Sequence, residues 1–335
     1  MIELLLPCPL SAGWELLWQH TLPRQAAGLP LGGFSGMELD WRSRRLWLLS
    51  DAPRTHSLEL RWGGSVRQPQ FELKPAKALL EQGSSRLDAE ALVRPGQGSR
   101  FWMASEGRSG LQPPAALLAL ALTDAGGFRV VQRAALPDGW QPTPSKGMRS
   151  NKGPEALVAL APKRLLLAAE SPLQQDPSRH LRLLLADLQG PEVAYSPLGT
   201  PLLVSPAYGF AAHWGLTALL PAVPTVPSRQ KRTPPLLALW RGYAEPDQWR
   251  NRLTLLPPLA LNKQPRPALP PSASWNLQRL GLEPDNWEAL EAGPTLDDGR
   301  STLLLASDDN FNPLQQNRLA LLAPRRSGRR CPTWP

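Results

Sequence analysis

Cysteine, histidine, tyrosine and phenylalanine are scarce in this chain of 335 residues, which has two, four, three and six of them. Cys8 and Cys331 cannot build a disulfide framework or a zinc site. Free thiols are the expectation, unless the fold brings the two ends together. His20, His56, His180 and His213 show no ligand-like spacing. No apolar run approaches the ~18–20 residues needed to cross a bilayer, so no membrane span is expected. The apolar residues 1–13 read poorly as a signal peptide: Glu3 stands where a basic region belongs, and prolines interrupt the stretch. Gly33-Phe34-Ser35-Gly36 lacks the G-x-S-x-G spacing and precedes a strand rather than a strand-to-helix elbow. There is no glycine loop for a phosphate or a dinucleotide. Serine-nucleophile and nucleotide-dependent enzymes are therefore disfavoured.

Proline and tryptophan, by contrast, are plentiful. The 39 prolines of 335 residues are about 12%, against a usual ~5%, and proline interrupts helices and central strands alike. A mostly helical fold is thereby disfavoured. Hydrophobic residues make up 42% and charged ones 19%, enough apolar material for a core and unlike a disordered chain. Lys and Arg number 37 against 28 Asp and Glu, a net charge of +9. The basic residues are scattered, apart from Arg325, Arg326, Arg329 and Arg330. With no aromatic-basic recognition motif, no nucleic-acid partner is expected. Residues 1–324 are expected to form one domain and a monomer, and residues 325–335 a basic tail.

One pattern recurs: a short apolar segment, a variable loop, a second apolar segment, then an acid. Ser35-Gly36-Met37-Glu38-Leu39 pairs with Leu46 to Asp51, Asp88 to Val93 with Phe101 to Glu106, and Glu155 to Val158 with Leu165 to Glu170. A weaker copy joins Leu216 to Leu220 with Leu236 to Arg241, and the last joins Glu288 to Leu290 with Leu303 to Asp308. Ser35, Glu90, Glu155, Thr217 and Glu288 are then equivalent, at spacings of 55, 65, 62 and 71 residues. These exceed the ~40–50 of common propeller repeats, and proline-rich insertions hold the surplus. Each copy has room for four antiparallel strands, which predicts an all-β, five-bladed β-propeller. The last copy lacks a strand, and residues 14–23 supply one that closes the final blade and removes open edges. A sixth blade between Ala222 and Ser274 is the alternative. Within that stretch, residues 221–235 and 257–274 read as proline-dense surface loops or extended segments.

Such closure brings acids together. Glu90, Glu155 and Glu288 open first strands; Asp51, Glu106, Glu170 and Asp308 close second strands, with Asp88, Asp285 and Asp309 near them. In a protein of net positive charge this is a ring of carboxylates at one channel mouth. Like charges so close either raise some pKa values or collect a cation. An all-oxygen set without His or Cys suits Ca²⁺, with Mg²⁺ as the other option. The seven metal-ligand candidates are Asp51, Glu90, Glu106, Glu155, Glu170, Glu288 and Asp308. Arg108, Lys146, Arg149 and Lys152 lie near the ring in sequence and suit a small anionic substrate. Glu155 as base, with Lys152 and Arg149 stabilising charge, would make a hydrolytic centre. Strand-end carboxylates also accept backbone N–H bonds without doing chemistry. A non-catalytic binding module is thus the competing reading. Trp47, Trp102 and Trp240 in second strands read as core.

At these repeats the sequence resembles the phytase-like family, described as the esterase-like domain of phytase. The residues that carry the resemblance are Gly33 to Met37 with Leu49-Ser50-Asp51, Asp88 to Ala91 with Ser105-Glu106-Gly107, and Asn151 to Leu157 with Glu170 to Leu173. Asn286 to Leu290 and Ser307-Asp308-Asp309-Asn310-Phe311 complete the set. The resemblance implies a secreted or periplasmic propeller with hydrolase activity on a phosphate ester or related ester. A likeness to calcium-dependent gluconolactonases rests on the same metal logic. The fourth copy departs from the pattern: Thr217 and Trp240 occupy the acid places, and Arg241 follows. A ring open on that side is the expectation.

Overall fold

The computed structural model describes residues 13–26, 29–51, 56–79, 87–96, 98–106, 113–204, 213–222, 231–246 and 248–325. Among them the regular structure is β, with one short 3-10 turn and no α-helix. Five four-stranded antiparallel sheets form the blades of a propeller. Blade 1 runs Phe34–Asp40, Arg45–Ser50, His56–Gly64 and Pro69–Leu73 from axis to rim. Blade 2 is Ala89–Val93, Arg100–Ser105, Ala116–Leu122 and Phe128–Ala135, and blade 3 is Ala156–Ala161, Arg164–Ala168, Leu183–Asp187 and Ala194–Pro197. Blade 4 is His213–Pro221, Leu236–Ala244, Gln248–Leu256 and Ala273–Asn276. Blade 5 takes Asn286–Thr295, Ser301–Asp308 and Arg318–Pro324 from one end of the chain and Trp14–Thr21 from the other.

The patterning explains this arrangement. Second strands such as Arg164–Ala168 and Ser301–Asp308 are apolar runs buried on both faces, because each lies between two neighbouring blades. Rim strands such as Phe128–Ala135 alternate instead, with one face toward water. A separate apolar cluster fills each of the five blade interfaces; Trp102, Leu165 and Leu167 join blades 2 and 3, and Leu237, Leu239, Leu303 and Leu305 join blades 4 and 5. Each fully buried leucine contributes about 1.5–3 kcal/mol. Trp47, Trp102 and Trp240 are buried in second strands, as expected.

Among the described residues of 222–274, the strands are those of blade 4, and no sixth blade is found. The proline-rich segment after Leu256 is tied down rather than loose. Gly199 N donates to Asn262 O at 2.8 Å, Arg266 N to Gly199 O at 2.9 Å, and Leu203 N to Leu269 O at 3.0 Å. These bonds stitch the segment to blade 3.

Ring closure is carried by Trp14–Thr21, which pairs along Arg318–Pro324 from Trp14 opposite Pro324 to Thr21 opposite Arg318. Trp14 is wholly buried, and Arg325 Nε donates to Trp14 O at 3.0 Å. Arg325 thus belongs to the last blade. Cys8, Cys331, Arg108, Arg326, Arg329 and Arg330 lie outside the described residues. Deleting residues 1–21 should expose the edge of Arg318–Pro324 and empty the Trp14 pocket, leaving a protein that aggregates before it melts cooperatively. Thermal unfolding with light scattering checks this; a sharp reversible transition in the truncated chain would contradict it.

Candidate active site at the channel mouth

The five innermost strands neighbour one another around the axis and begin at the same end. In every blade the end of the second strand returns to the residue two places before the ring position of the first. Asp51 N donates to Gly33 O at 2.7 Å, Glu106 N to Asp88 O at 3.0 Å and Glu170 N to Gly153 O at 2.9 Å. Asp308 stands opposite Asn286, and Arg241 opposite Gly215. This register makes Arg241, not Trp240, the counterpart of the acids. Trp240 instead points into the core, its indole donating to Thr254 Oγ1 at 2.9 Å.

Glycine at three of these starting positions leaves room for carboxylates. A Cβ on Gly33 would overlap Asp51 Oδ1, one on Gly215 would overlap Glu170 Oε1, and one on Gly153 would crowd Glu106. Gly215→Ala should therefore push Glu170 out of its place at a cost of about 1–3 kcal/mol, read by urea unfolding. An unchanged midpoint would mean that Glu170 does not need that space.

Arg241 closes the side of the ring expected to be open. Its side chain is only 11% exposed. The guanidinium donates to Glu170 Oε1 at 2.6 Å, to Asn286 Oδ1 at 2.6 Å and to Glu288, and lies 3.8 Å from Glu155 Oε1. Lys152 Nζ donates to Glu170 Oε1 at 3.1 Å and forms an ion pair with Oε2 at 2.8 Å. Glu288 also accepts from Ser35 Oγ at 3.0 Å and from Asn286 Nδ2 at 3.0 Å. Asn286 Nδ2 reaches Asp308 Oδ2 at 3.3 Å, and Asp308 Oδ1 caps Asn310 N at 2.8 Å. Asp309 is consumed structurally by Gly33 N, Phe311 N and Asn317 Nδ2. Asp285 pairs with Arg318 at 3.3 Å.

The blade-2 side is different. Asp88, Glu90 and Glu106 each bring one carboxylate oxygen within 4.8 Å of the others. Glu90 is 9% exposed and makes no hydrogen bond or ion pair with any described residue. Its surroundings are Glu155, Asp88, Glu106 and Glu288. Burial first, and those neighbours next, hold its carboxyl well above the ordinary range. Burial and Asp88 push Glu106 up to about 7, against the backbone N–H groups of Asn151 and Lys152. Burial, then Glu288, Asp88 and Asp309, push Asp51 up to about 8. Burial and Glu288 raise Asp308 strongly. Burial and Glu170 raise Glu155 despite Arg241, and burial raises Glu288 likewise. For Glu170, burial is outweighed by Arg241 and Lys152, and its carboxyl lies below the usual range.

The ring thus brings together Asp51, Glu90, Glu106, Glu155, Glu170, Glu288 and Asp308 within one connected network of contacts and repulsions. Lys152 stands at its edge, 36% exposed on Glu170. Arg149 is solvent-exposed, connected to the site by the bond from Lys152 N to its carbonyl at 3.1 Å. Lys146 is exposed as well. Sequence reasoning missed the clamping role of Arg241, whose signal was its alignment with the acids that close the second apolar segment of the other copies. It also missed a deeper acid pair, Glu38 and Glu291, where Arg94 N donates to Glu38 Oε2 at 2.8 Å.

Five blades around a carboxylate-lined mouth define a β-propeller with an acidic axial site. The model of the phytase-like family, described as esterase-like activity of phytase, matches residues 29–311, and the chain belongs to that family. A search of curated proteins finds no match.

Proposed function

We propose that the protein is an esterase-type hydrolase that holds one divalent cation, Ca²⁺ or Mg²⁺, at Asp88, Glu90 and Glu106 and acts on a phosphate ester or related ester. The observation that carries this reading is Glu90, a buried carboxyl beside Glu155, Asp88, Glu106 and Glu288 that has no hydrogen bond or ion pair among the described residues. Buried polar groups are ordinarily satisfied, and a hard cation with oxygen ligands would satisfy this one. When bound there, such a cation polarises an ester oxygen and lowers the pKa of a coordinated water. The chain's own groups do the rest. Asn151 and Lys152 N–H groups orient Glu106. Lys152, the half-exposed ammonium at the edge of the site, offers positive charge to an anionic substrate. Glu155, whose carboxyl burial and Glu170 raise above the ordinary range, is the acid–base group of this reading.

Turnover of p-nitrophenyl phosphate and p-nitrophenyl acetate, with melting temperature, is to be measured in EDTA and again after adding Ca²⁺ or Mg²⁺. Activity should disappear in EDTA and return with the ion, and Glu90→Gln should lower kcat on the order of 100-fold or more. A melting temperature that responds to the ion, without any turnover, would favour a structural ion in a binding module. No response of either quantity would remove the metal reading.

A further inference from the structure

The geometry points to a mouth built for a single divalent ion, with Arg241 holding the second cation position permanently; this inference rests on the metal reading above and concerns how many ions the ring accepts. Eight acids around one axis, the seven of the ring and Asp88, are enough ligands for two ions. The structure divides them unequally. Glu155 and Glu170 of blade 3 and Glu288 of blade 5 all turn toward the guanidinium from the one blade that contributes no acid. Convergence of carboxylate and amide oxygens on one centre, here with Asn286 Oδ1 at 2.6 Å, is the donor set a hard cation would receive. Arginine stays protonated at every working pH, so it cannot vacate the place as a proton or a hydrated ion can. Lys152 supplies a second positive charge to Glu170 at 2.8 Å. Three carboxylates thus share two fixed cations, and a divalent ion entering among them would face both at short range.

On the blade-2 side the balance is reversed, since Asp88, Glu90 and Glu106 bring carboxylate oxygens within 4.8 Å of one another and Glu90 has no ion pair among the described residues. The ring therefore directs an incoming ion to Asp88, Glu90 and Glu106. The chemistry follows from the count. A two-metal clamp stabilises the attacking and the leaving oxygen together. A one-ion mouth must leave one of those tasks to protein groups, and Lys152 is the exposed cation beside the triad able to take it.

Isothermal titration of the full chain with Ca²⁺ and with Mn²⁺, after EDTA and dialysis, counts the ions. One per chain is expected in the wild type, none in Glu90→Gln, and two in Arg241→Gln, where the vacated carboxylates become a second site. Two ions in the wild type, one ion retained by Glu90→Gln, or a folded Arg241→Gln that still binds one would each overturn the inference. None in the wild type would instead remove the metal reading beneath it. Should Arg241→Gln melt early in EDTA, recovery of its melting temperature by Ca²⁺ beyond the wild-type shift supports the second site. If that variant does not fold with or without Ca²⁺, the count in Glu90→Gln decides.

Discussion

Replacing Arg241 by alanine is expected to lower the unfolding free energy by about 3–5 kcal/mol, the usual consequence of removing one partner from a buried ion cluster. Three carboxylates from two blades then face one another without their shared counter-ion. They can stay buried only by taking up protons, so the loss should be greatest at high pH and smallest near pH 5. Lys152→Ala is the control. Its ammonium is 36% exposed, and pairs of that kind contribute at most ~1 kcal/mol. Urea unfolding of both variants at pH 5 and pH 8 separates the two cases. Equal, small effects would mean that Arg241 is an ordinary surface cation.

The second large effect is the dependence of stability on pH and divalent ion. In the folded protein Asp51 titrates at about 8 and Glu106 at about 7, and Glu90 lies well above the ordinary range. In the unfolded chain all three titrate near 4. Between those limits the folded state holds more protons than the unfolded one, so stability falls as pH rises from about 4 to 8. A divalent ion at Asp88, Glu90 and Glu106 competes with those protons and binds more tightly over the same window. Without the ion, the melting temperature should drop between pH 5 and pH 8 on the order of 5 °C. Saturating Ca²⁺ should flatten or reverse that slope. A profile in EDTA that is level or rising would show that the carboxylates ionise freely.

Legibility in the sequence followed the strength of local signals. Paired apolar runs such as Phe101 to Ser105 and Leu165 to Ala168 carry their own period and bounding turns, and the five-fold repetition made the propeller readable. The closing strand was readable because Trp14 to Thr21 repeats the pattern of another rim strand. The acids were readable as a set because register, once the fold is a ring, places strand ends side by side. Their division was not. Arg241 keeps the register of Asp51, Glu106 and Asp308, since the bulge at Thr217 matches those at Ser35, Glu90 and Glu288, but a cation in an acid's place does not read as part of the set. Nothing local in the sequence tells that a side chain from blade 4 reaches carboxylates on blades 3 and 5. The Glu38 and Glu291 pair was equally hidden, because each sits inside a strand where an acid reads as solvent-facing.

An anomalous difference map from crystals of the full chain soaked in Mn²⁺ tests the central claim most directly. A single strong peak bounded by carboxylate oxygens of Asp88, Glu90 and Glu106, with the Arg241 guanidinium still against Glu170 and Glu288, is the predicted result. A mouth without a peak, or an ion seated among Glu155, Glu170 and Glu288, would contradict it.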